Sequence, residues 1–416
     1  MRESKHLEYK EAVSNSFLKT VSAYANYGTG EIVFGVSDDG AVKGVENPKT
    51  VCLDIENRIN DSIAPVPEYT LRVNPKTSVI TLTVFEGLYK PYLYKAKAYR
   101  RNDSSTIAVD RLALGRLILE GQNLSFEELP AENQKLTFHT LGEKLKASLH
   151  LEEVTMDTLK TLELYKDGNG FNHAGELLAD ANGFCGVDIV RFGDNISVIR
   201  DRETYAKESV LQQYDHALTM FKKYYQYEQI KGSYREPVFL IPEEAFREAL
   251  ANAIVHREWD VDTHINIAMF ADRIEITSPG GLPKGLDAEE YRRGGISILR
   301  NRILGGVFLR LGMIEQFGTG IRRIHEAYQS SAAKPTFDAT ENSIRIVLPV
   351  LRTQNNLTED ENRVYSLLKG RTAPSSEVVD ATGFGKSKTV AILKKLVAEG
   401  FITASGKGRG IKYTGI

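Results

Sequence analysis

The sequence is poor in cysteine. Cys52 and Cys185 are the only two among 416 residues, far apart and outside any CxxC or Cys/His spacing, which supports neither a disulfide framework nor a zinc site. Long apolar runs are missing as well. No stretch reaches the ~20 consecutive apolar residues of a membrane-spanning helix, and the first twelve residues are too polar for the apolar centre of a signal peptide. The expectation is a cytoplasmic protein with no membrane partner. There is no Walker GxxxxGK[ST] segment and no GxSxG elbow, so neither P-loop helicase machinery nor acyl transfer is indicated. Charge of one sign is not in excess either: 53 Lys and Arg stand against 55 Asp and Glu, a formal net charge of −2. That excludes a uniformly basic nucleic-acid binder, but not a basic surface confined to one segment.

A charged fraction of 26% with 42% hydrophobic residues describes a folded chain, and its length, at roughly 150 residues per domain, suggests about three compact units. Local patterns point to an α+β multidomain protein with boundaries near 1–125, 126–236, 237–351 and 357–416. In the first segment Phe17, Leu18, Val21, Tyr24 and Ala25 recur at helical spacing up to Gly28. A β-rich run from Glu31 to Val36 follows, then a helix over Val51 to Ser62 and strands at Tyr69–Val73 and Val79–Phe85. Helical patterns at 140–150, 154–164 and 173–181 and strands near 187–192 and 195–199 occupy the second segment, a connecting α/β region without recognisable chemistry.

In the third segment Pro242 suits the first turn of a helix running to Arg257. Along it Glu248, Asn252 and His256 recur at i, i+4 and i+8 on one face, with Phe246, Leu250 and Ile254 roughly opposite. Glycines at 280, 281, 318 and 320 offer backbone N–H groups able to wrap phosphate, or simply make tight turns. The fourth segment, after a polar linker at 352–356, reads as helix, helix, turn, helix and strand pair, a winged helix-turn-helix pattern. Between Ser366 and Ile416 nine basic residues outnumber three acids, +6 locally. Lys386, Lys388, Lys394 and Lys395 lie on the third helix, and Lys407 and Arg409 in the wing. This asymmetry favours duplex DNA as a partner over a protein-interaction role. Winged-helix regulators commonly bind paired sites, which makes a homodimer the default assembly.

Two stretches carry family resemblances. Glu3 to Lys10, Ala23 to Gly40 and Tyr99 to Thr106 resemble the AlbA-like domain of the Schlafen family, over most of the first ~120 residues. The resemblance implies nucleic-acid binding. In nuclease-competent relatives two glutamates and an aspartate form an acidic metal site, and those positions match Glu3, Glu8 and Asp38. Ser37 stands where such relatives carry the first of two aspartates, so Asp38 and Asp39 both compete for the register. Spacing alone puts Glu3 and Glu8 on different faces of either a strand or a helix. Tyr89, Tyr92, Tyr94 and Tyr99, interleaved with Lys90, Lys95, Lys97, Arg100 and Arg101, fit a stacking platform for single-stranded nucleic acid. They fit equally a strand with half-buried tyrosines.

The runs Arg247–Arg257, Ile274–Pro283 and Phe317–Ile321 are similar to a divergent GHKL-type ATPase domain of RecG-related proteins. That resemblance implies ATP and Mg²⁺, with Glu248, Asn252, Gly280, Gly281, Gly318 and Gly320 as nucleotide contacts. The aspartate that reads adenine in such domains is absent from Thr277 to Gly281, which favours a degenerate scaffold. The leading expectation is a DNA-binding transcriptional regulator with a possible degenerate ATP site. The alternative is a metal-dependent nuclease acting on RNA or single-stranded DNA through Glu3, Glu8 and Asp38. If enzymatic at all, the chain is such a nuclease or a weak ATPase.

Overall fold

The structure is a computed structural model, and it describes residues 3–37, 39–150, 153–231, 234–296, 298–315, 318–351, 357–406 and 410–415. The chain divides into two compact units, Met1–Ser125 and Phe126–Ile416.

In the first unit the helix Phe17–Tyr27 buries nine of its eleven residues, and Gly28, at φ 140°, ends it. A four-stranded sheet lies beside it in the order Leu7–Lys10, Gly30–Phe34, Ile80–Val84, Tyr69–Val73. The first pair is parallel and the other two pairs are antiparallel. Alternation does the sorting: Ile80, Leu82 and Val84 point into the core with Phe17, Val21 and Ile32. A second helix, Pro48–Ser62, contributes Ile55 and Ile59. Polar groups on the helix Phe17–Tyr27 moor the segment that follows the sheet. Asn26 accepts the Tyr92 N–H at 2.8 Å and donates to the Tyr92 carbonyl at 2.8 Å, while Ser22 donates to the same carbonyl at 2.7 Å. This mooring carries Tyr92, Tyr94 and Tyr99 into the core.

The second unit is built on a six-stranded sheet in the order Ile199–Tyr205, Val187–Phe192, Ile265–Met269, Arg273–Pro279, Ser343–Pro349, Thr336–Ala339. The pair Val187–Phe192 and Ile265–Met269 is parallel. Helices Val210–Tyr225 and Glu243–Val255 cover its buried face. Two of these strands come from the segment 126–236. The connecting region and the segment 237–351 therefore share one sheet and one apolar core, and no boundary separates them at 236. The helix Val210–Tyr225 went unread in the sequence although Val210, Tyr214, Ala217, Phe221 and Tyr225 keep a helical period and are all buried.

Residues from Leu357 onward have a separate core around Val364, Leu368, Leu393 and Leu396. Helices Glu359–Leu368, Ser375–Thr382 and Lys386–Ala398 pack with a three-stranded antiparallel sheet in the order Thr372–Pro374, Lys412–Gly415, Ile402–Ser405. Among the described residues, no helix is long and apolar enough to cross a membrane.

A buried carboxylate ties the start of the second unit to its interior. Glu127, fully buried, accepts the N–H groups of Ile303 (2.7 Å) and Leu304 (2.9 Å) at the start of the helix Arg302–Arg310. The helix start favours an anion there, yet burial dominates and pushes the carboxyl up to about 7, against the two backbone hydrogen bonds. The folded state thus keeps a proton that the unfolded chain releases near pH 4.5. Stability from this group is present below about 4.5 and lost as pH rises to about 7, roughly 3 kcal/mol in all. Glu127→Gln should flatten that slope; wild-type and variant melting curves that remain parallel from pH 4.5 to 7 would refute the assignment.

Candidate functional sites

Glu8 lies on the first strand of the first unit, buried among polar groups rather than facing solvent. Its Oε1 meets Lys10 Nζ at 2.7 Å, and its Oε2 accepts from Thr20 Oγ1 at 2.6 Å and from Arg101 at 2.5 Å. Both carboxylate oxygens are taken. Arg101 also donates to Thr106 Oγ1 and to the Ser4 carbonyl, each at 3.1 Å. A buried carboxylate requires such a counter-charge, and this requirement moves Arg101 from the expected nucleic-acid surface into the interior, 7% exposed. Glu3 accepts the Tyr9 backbone N–H at 2.9 Å. Asp38 lies outside the described residues. Asp39 is exposed, and hydrogen bonds from the Ser37 hydroxyl and the Ala41 N–H hold its carboxyl below the usual carboxylate range. Among the described residues, no group of three or more His, Cys, Asp or Glu could hold a metal.

The tyrosine-rich stretch separates into inside and outside. Tyr92, Tyr94 and Tyr99 are core residues, and Lys90 is buried between Glu86 and Glu120, each 2.7 Å away. Only Tyr89 of the four tyrosines is exposed. Lys95 and Lys97 project from a tight turn closed by Tyr94 and Lys97, and Arg100 is half-buried. Of the expected stacking platform, Tyr89, Lys95 and Lys97 therefore remain exposed.

In the second unit a cavity, open to solvent, lies between the helix Glu243–Val255 and the sheet. Phe246, Leu250 and Ile254 turn into the core, while Glu248, Asn252 and His256 line the cavity. Gly318 and Gly320 line it as well, at the start of the helix Gly320–Ala327. Gly280 and Gly281 do not. The Gly280 N–H is spent on the Asn342 carbonyl (2.9 Å), and Arg300 binds the Gly281 carbonyl (2.9 Å). Sequence reasoning missed Arg323, which reaches Glu248 at 3.2 Å and Glu315 at 2.9 Å. Burial raises the Glu248 carboxyl, with Arg323 opposing. His256 is lowered to about 4 by burial and the nearby Arg300, and so is neutral.

The third helix of the C-terminal segment presents Lys386, Ser387, Lys394 and Lys395 on its exposed side. Two of its lysines have acidic partners on the first helix: Lys388 meets Asp360 and Lys395 meets Glu361, each at 2.6 Å. Counted over 357–416, ten basic residues face six acids, so the segment carries +4 rather than the +6 of the shorter window. Lys386 and Lys394 have no ion pair among the described residues. Lys407 and Arg409 lie outside the described residues.

Two family models match the chain. Residues 3–110 match "Schlafen, AlbA_2", and residues 262–348 match "Putative ATP-dependent DNA helicase recG C-terminal". The second match begins after the helix that carries Glu248 and Asn252. Among solved structures, the DIP2311 protein from Corynebacterium diphtheriae is similar in fold over 99% of this chain and 92% of its own, at 18% identity and a TM-score of 0.50. The N-terminal domain of a "Putative ATP-dependent DNA Helicase RecG-related Protein" from Nitrosomonas europaea is 26% identical over 27% of this chain and 85% of its own, with a TM-score of 0.20. No curated protein matches. The chain therefore joins an N-terminal Schlafen AlbA_2 domain to an ATPase-like domain of the RecG-related type.

Proposed function

We propose that this is a nucleic-acid-associated protein and, more specifically, a DNA-binding regulator of transcription whose residues 357–416 form a winged helix that docks on duplex DNA. The observation that carries this reading is the third helix of that segment. Among the described residues Lys386 and Lys394 stand exposed and without acidic partners, on a helix held by two others and flanked by an antiparallel strand pair. Such a helix places cations and its first backbone N–H groups against phosphates while its exposed face meets base edges. The AlbA_2 domain supplies a second, weaker contact through Lys95 and Lys97, suited to single strands or RNA as well as duplex.

The nuclease reading draws less support, because the Glu8 carboxylate is already satisfied by two cations and a hydroxyl. Selection of bound duplexes from a random-sequence pool tests the regulatory role. A regulator acting as a homodimer should enrich a motif with two related half-sites. A bound pool with no enriched sequence would contradict regulation, leaving at most non-specific binding.

A further inference from the structure

The ATPase-like match implies a nucleoside triphosphate and Mg²⁺ in the cavity beside Glu248, and the residues present do not fit that ligand. No Lys or Arg is among the described lining residues, and two carboxylates, Glu248 and Glu315, are. A triphosphate would bring several negative charges against them in a site where burial already disfavours the charged form of Glu248. Arg323, the nearest cation to Glu248, is spent between these two carboxylates. The glycine turn offers no room either. A Cβ placed on Gly320 would come within 2.8 Å of Glu248 Oε2 and 3.0 Å of Asn252 Nδ2, so the backbone at that helix start is already pressed against this pair. Ser278, on the strand where such domains carry their adenine-reading group, donates its hydroxyl to the Ala253 carbonyl at 2.7 Å.

What the cavity does offer is different. Its walls are apolar, with Ile276, Leu286, Leu299, Ile314, Ile321 and Ile346 prominent among them. Asn252 and His256 both line it, and their side chains make no hydrogen bond among the described residues. An amide and a neutral imidazole together supply donors and acceptors without net charge. Small-molecule sites are mostly apolar with a few placed polar groups, and this cavity has that make-up.

We propose that the cavity binds a small, uncharged, mainly apolar molecule with one hydrogen-bonding edge turned to Asn252 and His256, and that it does not accept a nucleoside triphosphate. The full chain is titrated with N-phenyl-1-naphthylamine, an uncharged ring probe bearing one N–H, whose fluorescence rises in apolar sites. The proposal expects saturable binding at one site per chain, unaffected by excess Mg²⁺-ATP, and a melting temperature that Mg²⁺-ATP leaves in place. Leu299→Trp, which fills the cavity, should weaken probe binding at least tenfold. If that variant does not fold, Ile344→Phe on the sheet wall takes its place. Non-saturable probe binding, binding indifferent to the filled cavity, displacement of the probe by Mg²⁺-ATP, or a rise in melting temperature with Mg²⁺-ATP would each overturn it.

Discussion

Replacing Glu8 by alanine is expected to cost about 3–5 kcal/mol of stability, because it strands Arg101 and Lys10 without their counter-ion. Arg101 is deeply buried, its side chain 4% exposed, and cannot recover hydration without moving. Arg101→Ala should be nearly as harmful, since Glu8 would then keep only the half-buried Lys10 and the Thr20 hydroxyl. Glu8→Gln retains the acceptor for Thr20 but not the charge, and should fall between wild type and Glu8→Ala. The metal-site reading expects the reverse. Carboxylates gathered for a divalent ion repel one another when the ion is absent, so removing one should stabilise the metal-free protein, and Mn²⁺ should raise the melting temperature of the wild type. Thermal unfolding with and without Mn²⁺ separates the two. A more stable Glu8→Ala variant would sink the ion-pair account.

The second large effect concerns DNA. Substituting Lys386 and Lys394 together by alanine should weaken duplex binding for every sequence tested and lower the slope of log K against log salt by about 2, close to one unit for each phosphate that is no longer neutralised. Lys388→Ala and Lys395→Ala should matter less, because Asp360 and Glu361 already offset those charges. Conversely, Asp360→Asn frees Lys388 and should tighten binding and steepen the slope. The test is fluorescence anisotropy of a labelled mixed-sequence duplex over a salt series. Equal weakening for all four lysines would show that these ion pairs do not govern how the helix meets DNA.

Local pattern made much of this fold legible. Helix Phe17–Tyr27, the strands at Tyr69–Val73 and Ile80–Val84, and the three C-terminal helices follow from periodicity and turn residues, because their apolar faces are continuous in sequence. The six-stranded sheet was harder to read. Its outer strand Ile199–Tyr205 is almost wholly polar and exposed, so nothing in its composition ties it to a core formed mainly by later residues. Site residues divide the same way. The i, i+4, i+8 spacing placed Glu248, Asn252 and His256 on one face, and they share a cavity. Pairings across long separations leave no local trace. Arg101 lies 93 residues from Glu8, and Arg323 lies 75 from Glu248. Arg101 therefore had the appearance of a free cation, and nothing local marked Arg323. The charge of the tail was overestimated for a related reason: a window opening at Ser366 leaves out the acidic first turn Glu359–Glu361, which folds back onto two of its lysines.

Duplex binding as a function of salt, measured for the full chain and for a chain lacking residues 357–416, bears most directly on the proposed function. Binding by the full chain should be clear at low salt, fall steeply as salt rises, and largely disappear on removal of the segment. Undiminished binding by the shortened chain, or no binding by the full chain even at low salt, would contradict the assignment of the C-terminal segment as the DNA-docking element.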